Sequence, residues 1–237
     1  MPNSSANSNL DELKRQAALK AVEYVRDGMV VGLGTGSTAN HMIVALGKRV
    51  KNGLKIKGVP TSRETADLAR KHGIDVIEAE DQWSIDVTID GADQVDPQLN
   101  LIKGGGGALL KEKVVAAAAR KLIIVVDHTK CVPVLGNAFP LPVEVVPFGW
   151  GSTARQIEAL GYTSLLRKKD GAVFRTEAGH YILDVKIARI DRPAELELQL
   201  NALPGVVETG LFVGRTHLLI VGAPRGVEVR QAEPPRG

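Results

Sequence analysis

The sequence predicts an α/β fold: a doubly wound, mainly parallel sheet carrying a smaller inserted ferredoxin-like α+β domain. Three observations predict it. Short, continuously apolar runs bounded by Gly alternate with helical patterns through the first 126 residues. The runs are rich in Val, Ile and Leu, as strands buried on both faces are. Beyond residue 140 the order changes to β-α-β-β-α-β, that of a split βαβ unit.

The elements follow in order. Leu13, Ala17, Val22 and Val25 have helical spacing over Asp11–Arg26, and Asp27-Gly28 stops that helix. Met29–Leu33 reads as a first strand, Thr38–Lys48 as a helix and Leu54–Val59 as a second strand. Arg63–Lys71 is a helix, Asp75–Glu78 a third strand and Asp86–Ile89 a fourth. Ala108–Lys121 is apolar nearly all round and reads as a buried helix, followed by a fifth strand, Leu122–Val126. The second pattern comprises Val143–Pro147, Ser152–Leu160, Ser164–Lys168, Tyr181–Ile187, Ala194–Leu203 and Val206–Leu211, with Asp170-Gly171 and Ala178-Gly179 as turns. Leu218–Val221 is a last apolar run, expected to return to the main sheet. The expected division is a Rossmann-like domain at 10–139 plus 212–230, a ferredoxin-like domain at 140–211, and flexible tails at 1–9 and 231–237.

Composition narrows the function. Aromatics make up only 4 %, so the core must be aliphatic, and too few rings interleave with Lys or Arg to form a base-stacking platform. Net charge is +3, but the basic residues are scattered, which argues for a local site for a small anion and against nucleic acid. Cys131 is the single cysteine, so no internal disulfide forms; its neighbours Val132 and Pro133 suit an inert packed thiol. No apolar run is long enough to span a bilayer. Met1–Asn9 lacks the basic start and apolar stretch of a secretion signal and reads as a disordered lead. The expected location is cytoplasmic.

Four segments stand at strand ends, where open α/β sheets bind ligands. Gly32-Leu-Gly-Thr35-Gly36-Ser37-Thr38 lies between a strand and a helix. Its glycines let backbone N–H groups approach an anion, the helix start adds partial positive charge, and its hydroxyls add donors. A Walker loop would need Lys before Ser37, and a dinucleotide fingerprint would need Gly at 37 and an acid near the second strand's end. A phosphate site remains, beside the plainer reading of a capped helix start. Asp90-Gly91-Ala92-Asp93 sets two carboxylates on a turn, able to divide their titration or hold sugar hydroxyls, or simply to bond their own backbone. Ile102-Lys103-Gly104-Gly105-Gly106-Gly107 runs into the helix bearing Lys111-Glu112-Lys113. Four glycines cost up to ~1 kcal/mol each in chain entropy, so close backbone approach to a ligand explains them better than a linker does. Asp127-His128-Thr129-Lys130 offers Lys130 as a point charge for phosphate. Histidines 41, 72, 128, 180 and 217 show no metal-ligand spacing, so no metal is expected.

Together these segments resemble ribose-5-phosphate isomerase of the A type, through nearly the whole chain from Asp11-Glu-Leu-Lys14 to about Val227. The resemblance rests on Gly-Leu-Gly-Thr-Gly-Ser-Thr at 32–38, Asp-Gly-Ala-Asp at 90–93, Ile-Lys-Gly-Gly-Gly at 102–106, Glu112-Lys113 and Leu-Pro-Val-Glu-Val at 141–145. It implies a cofactor-free isomerase acting on ribose 5-phosphate and ribulose 5-phosphate, in the non-oxidative pentose phosphate pathway, and at least a homodimer, dimer or tetramer. Glu112 then matches the catalytic base, and Asp90, Asp93 and Lys103 other active-site positions. Thr35, Gly36, Ser37, Thr38 and Lys130 match the phosphate positions, joined by Lys14. Gly104, Gly105 and Gly106 match backbone contacts to the sugar, with Gly91 and Ala92 in the Asp90 turn also on the substrate side. Gly107 departs from the family, which often has Ala there, and is expected to loosen the start of the Glu112 helix. Two other readings fit the fold: a coenzyme A transferase-like enzyme, and a sugar-phosphate sensing domain without turnover.

Overall fold

The computed structural model describes residues 4–77, 82–137 and 139–232, with side chains from residue 9. Its elements in chain order are α1 (Ser4–Ala21), a 3-10 turn (Val22–Tyr24), β1 (Val30–Leu33), α2 (Ser37–Lys51), β2 (Lys57–Pro60), α3 (Arg63–Lys71), β3 (Asp75–Val76) and β4 (Val87–Asp90). Then come β5 (Gln94–Val95), β6 (Leu101–Ile102), α4 (Leu109–Ala118), β7 (Leu122–Asp127), a 3-10 turn (His128–Lys130), β8 (Leu141–Val145), α5 (Trp150–Ala159) and β9 (Thr163–Leu166). The last are β10 (Lys168–Lys169), β11 (Ala172–Val173), β12 (Tyr181–Lys186), α6 (Pro193–Asn201), β13 (Val206–Thr209), β14 (Leu211–Phe212), β15 (Leu218–Ala223) and β16 (Gly226–Gln231). The chain forms two units, one of residues 1–91, 111–130 and 215–237, the other of 92–110 and 131–214.

In the first unit seven strands among the described residues lie in the order β3-β2-β1-β4-β7-β15-β16. All pairs are parallel except β15 with β16. The chain winds one way from β1 through β2 to β3, then the other way through β4, β7 and β15. The reversal lies between β1 and β4, and the crevice at such a reversal is where doubly wound sheets bind ligands. Those two strands pack closely: a Cβ on Gly32 would lie 2.1 Å from the Thr88 hydroxyl. The core is aliphatic, built from Leu33, Met42, Ile43, Leu46, Ile89, Ile123 and Ile220 with the alanine face of α1. The Leu218 run does return to the main sheet, pairing with β7 from Leu218 to Gly222.

The amino-terminal lead departs from expectation, because Ser4–Asn9 forms the first turns of α1. Leu13, Ala17, Ala18 and Ala21 are buried and anchor the helix downstream. Once a helix is nucleated, each added residue gains a hydrogen bond for one fixed residue, so polar turns propagate outward. At the other end Gln231, expected in a tail, closes β16 opposite Leu218. Glu78, expected in the third strand, and 233–237 lie outside the described residues.

In the second unit β8-α5-β9-β12-α6-β13 forms an antiparallel sheet ordered β13-β8-β12-β9, the split βαβ arrangement the sequence predicts. Leu141, Val143, Val145, Leu183 and Val185 pack beneath Ile157, Leu196 and Leu200. The unit is larger than 140–211, because short segments on either side are tied into it. Gln94 donates to Gly136 O at 2.7 Å and accepts from Gly136 N at 2.8 Å, both buried. Val132 N donates to Val95 O, and Ile190 N to Leu135 O, each at 2.9 Å. A second small sheet, β14-β6-β5, places the residues just before the glycine run between Val95 and Phe212. These ladders are only two residues long, too short for hydrophobic periodicity to reveal.

Candidate active site

In the first unit the expected residues gather on the loops after β1, β4 and β7. Gly34 follows β1, and its N–H donates to Ile89 O at 3.0 Å. A Cβ there would lie 2.1 Å from Asp90 Oδ1 and 2.6 Å from Asp90 Cα, so only Gly fits. Asp90 is 2 % exposed. Its Oδ1 accepts N–H groups from Thr35 at 3.2 Å and Gly91 at 2.7 Å, which ties the two loops together. Gly36 takes φ +106°, a conformation L side chains rarely adopt, and begins α2. Ser37 and Thr38 are its first helical residues, where unsatisfied N–H groups suit an anion.

The Thr35 hydroxyl turns away from that helix start. It lies 2.7 Å from the Thr61 hydroxyl, 3.0 Å from Ser62 and 3.2 Å from Thr65. Thr61 donates in turn to Leu33 O and Thr65 to Gly34 O, both at 3.0 Å. Ser62 caps α3 by accepting from Thr65 N at 3.1 Å. Thr35 therefore braces the loop, and the sequence reading missed its partners. Their signal was a hydroxyl cluster at the carboxyl end of the second strand.

Lys14 reaches the same edge from α1, donating to Ser37 Oγ at 3.3 Å, 4.0 Å from the Asp127 carboxylate. Asp127 is buried and also accepts from Thr129 N at 2.9 Å and from its hydroxyl. Lys130 is the next residue, in the 3-10 turn that ends β7. Glu112 occupies the first turn of α4, where the helix start favours negative charge, and is 5 % exposed.

In the second unit β6 delivers Lys103 and the glycine run. Lys103 N donates to Gly210 O at 2.8 Å, and its ammonium lies 5.5 Å above the Phe212 ring. Ala92 precedes Asp93, whose N–H donates to Ile102 O at 2.9 Å and whose Oδ2 accepts from Gly105 N at 2.8 Å. Gly104 and Gly107 take φ +103° and +83°, and Gly107 N closes a turn on Gly104 O at 3.0 Å. A Cβ on Gly106 would meet nothing within 4 Å, leaving that position open to a ligand. Gly107 is buried, with Phe174 Cζ 2.4 Å from where its Cβ would stand. An aromatic ring thus occupies the space that a methyl at Gly107 would take.

Among the described residues no group of three or more His, Cys, Asp or Glu side chains is arranged to hold a metal, and no helix is long and apolar enough to cross a membrane. Cys131, the single cysteine, is half-buried.

The family model described as ribose 5-phosphate isomerase A (phosphoriboisomerase A) matches residues 57–226. The ribose-5-phosphate isomerase A of Gloeobacter violaceus is 54 % identical, over 93 % of this chain and 96 % of that one. That of Bradyrhizobium diazoefficiens is 50 % identical, over 97 % and 99 %. A solved D-ribose-5-phosphate isomerase in complex with phospho-erythronic acid superposes with a TM-score of 0.91 at 39 % identity, covering 94 % of this chain and 99 % of that one. The chain belongs to the ribose 5-phosphate isomerase A family, and it is an aldose–ketose isomerase that interconverts ribose 5-phosphate and ribulose 5-phosphate.

Proposed function

We propose that Glu112 is the base that carries the proton between C2 and C1 of the sugar phosphate. Its carboxylate removes the C2 proton. The C2–H electron pair forms the C1–C2 double bond, and the C1 carbonyl pair moves onto O1. After a proton shifts from O2 to O1, Glu112 returns its proton to C1 and O2 becomes the carbonyl. Nothing is gained or lost overall, so no redox cofactor enters the scheme. The observation that carries the assignment is Glu112's position: a nearly buried carboxylate in the first turn of the helix that follows the glycine run.

The enediolate carries negative charge on oxygen. Lys103 and the Gly106 N–H are the groups proposed to meet it. Asp90 handles proton traffic at the sugar oxygens, including ring opening, with Gly91 and Ala92 lining that turn. Asp93 orients the sugar and the Gly104–Gly106 backbone, a role supported by its bond to Gly105 N. Gly36, Ser37, Thr38, Lys14 and Lys130 take the phosphate, and Thr35 shapes their loop. Phosphate binding is remote from the reacting carbons and orients them. The enzyme is further read as a cytoplasmic homodimer or homotetramer without nucleic-acid or membrane partners, supported by its scattered basic residues and family membership.

Turnover of ribose 5-phosphate in EDTA, beside Glu112→Gln, tests this reading. The wild type is expected to turn over without metal, and the variant to keep substrate binding while kcat falls about 10²- to 10⁴-fold. A variant kcat within about threefold of wild type, far short of a general base's usual share, would remove Glu112 from the role.

A further inference from the structure

The glycine turn is held from behind by one guanidinium. Arg167 follows β9, and its Nη1 donates to Gly104 O at 2.7 Å and to Gly105 O at 3.2 Å. Its other edge pairs with Asp184 on β12, Nε to Oδ2 at 2.9 Å and Nη2 to Oδ1 at 2.5 Å. The backbone is pinned as well: Arg167 N donates to Ile182 O at 2.8 Å, and Phe174 N to Arg167 O at 2.9 Å. The Phe174 ring, which covers Gly107, lies 6.0 Å from the guanidinium carbon. The Arg167 side chain is 13 % exposed. A charge-assisted, bidentate pair in that setting is strong and directional.

In a trans peptide the N–H points opposite to its C=O. Drawing the Gly104 and Gly105 carbonyls onto Arg167 therefore aims the Gly105 and Gly106 N–H groups the other way. One reaches the Asp93 carboxylate. The other belongs to Gly106, where a Cβ would meet nothing within 4 Å. Glycine has the weakest intrinsic preference of any residue, so a turn of four glycines cannot hold these directions unaided. A cation on the carbonyl end of a peptide also polarises its N–H, strengthening it as a donor.

We propose that Arg167, held by Asp184, is a positioning residue for the isomerisation: it fixes the glycine turn and polarises the Gly106 N–H that meets the enediolate. The inference rests on the reading of that turn given above. Its effect should appear in the transition state more than in binding of the phosphate end, which depends on other loops.

The test measures kcat, KM and inhibition by inorganic phosphate for wild type, Arg167→Met, Arg167→Lys and Asp184→Asn, with thermal unfolding of each. Arg167→Met is expected to lower kcat about 10- to 100-fold, below the full loss of an oxyanion donor because the N–H groups remain. KM and the phosphate inhibition constant should move less than about threefold, as for an interaction made only in the transition state. Arg167→Lys should restore part of kcat, since a single ammonium reaches one carbonyl but not the fork. Asp184→Asn should fall between wild type and Arg167→Met, and it carries the test with Arg167→Lys if Arg167→Met does not fold. Unchanged kcat in the folded variants, or kcat and phosphate affinity lost in proportion to thermal stability, overturns the inference. An inactive wild type would instead overturn the function on which it rests.

Discussion

Two glycine-rich turns serve this enzyme, and they are held in different ways. The turn at Gly34–Gly36 is held by close neighbours: Asp90 from the next strand takes Thr35 N–H, and the Thr35 hydroxyl lies within hydrogen-bonding distance of the Thr61, Ser62 and Thr65 hydroxyls. The turn at Gly104–Gly107 is held by a charge 63 residues away in sequence from Gly104. The first is built of short side chains, Asp90 and three hydroxyls, packed so closely that a methyl at Gly34 has no room. The second leaves room at Gly106 and depends on a guanidinium for direction. A loop that binds a ready-made phosphate needs fixed N–H groups at a helix start, which packing supplies. A loop that meets charge only as it develops gains from polarised donors, which a buried cation supplies.

The sharpest way to break this comparison is alanine at one glycine of each turn. Gly34→Ala drives a methyl into Asp90 and its backbone, and should cost at least the ~1–3 kcal/mol usual for overpacking, read as a lower urea midpoint. Gly106→Ala adds a methyl in open space, and its stability should stay within about 0.5 kcal/mol of wild type while KM or kcat worsens. Equal destabilisation of the two would mean that the second turn is as tightly packed as the first.

A smaller effect is expected from Thr61→Val. The shape is kept, but the hydroxyl lost is the one between Thr35 and Leu33 O. Leaving those partners short of a bond should cost about 1–3 kcal/mol. If the loop takes the phosphate as proposed, KM should rise more than kcat falls; the reverse pattern in steady-state kinetics would detach the hydroxyl network from phosphate binding.

The smallest effect marks where neither turn reaches. On α1, Arg15 donates to both carboxylate oxygens of Glu12 at 2.7 Å, with Gln16 adding a bond at 3.0 Å. The Arg15 hydrogen bonds lead in holding the Glu12 carboxyl down at about 2, from an ordinary 4.5. A depressed carboxylate pKa adds stability that is fully present above the unfolded value and is lost as pH falls from about 4.5 through about 2. The pair is solvated, so Glu12→Gln should change acid stability slightly and kcat at pH 7 not at all. A Glu12 titration midpoint near 4.5 in the folded protein, followed by NMR, would show that the pair does not form.

The extent to which the site was legible follows the reach of each interaction. Asp90, Gly91 and the 32–38 loop were readable because a strand end, a glycine turn and a helix start are local signals, and all three stand together in the structure. Thr35 was assigned to the ligand because a hydroxyl in a phosphate loop reads as a donor, yet it faces Thr61 from a different strand. The β5, β6 and β14 ladders escaped because two residues carry no periodicity. The helical start of α1 escaped because polar composition resembles disorder unless a buried face downstream nucleates the helix.

By itself, the sequence determined the doubly wound, mainly parallel sheet, the late β-α-β-β-α-β unit and the chemical nature of the strand-end loops. Each of these is written in residue type and spacing along adjacent chain. Only the tertiary structure decided that residues 92–110 and 131–139 join the second unit, that Phe174 fills the space above Gly107, and that Arg167 with Asp184 governs the glycine turn. Those are contacts between segments far apart in sequence, where an arginine just after a strand looks like any solvated arginine until the fold brings carbonyls to it.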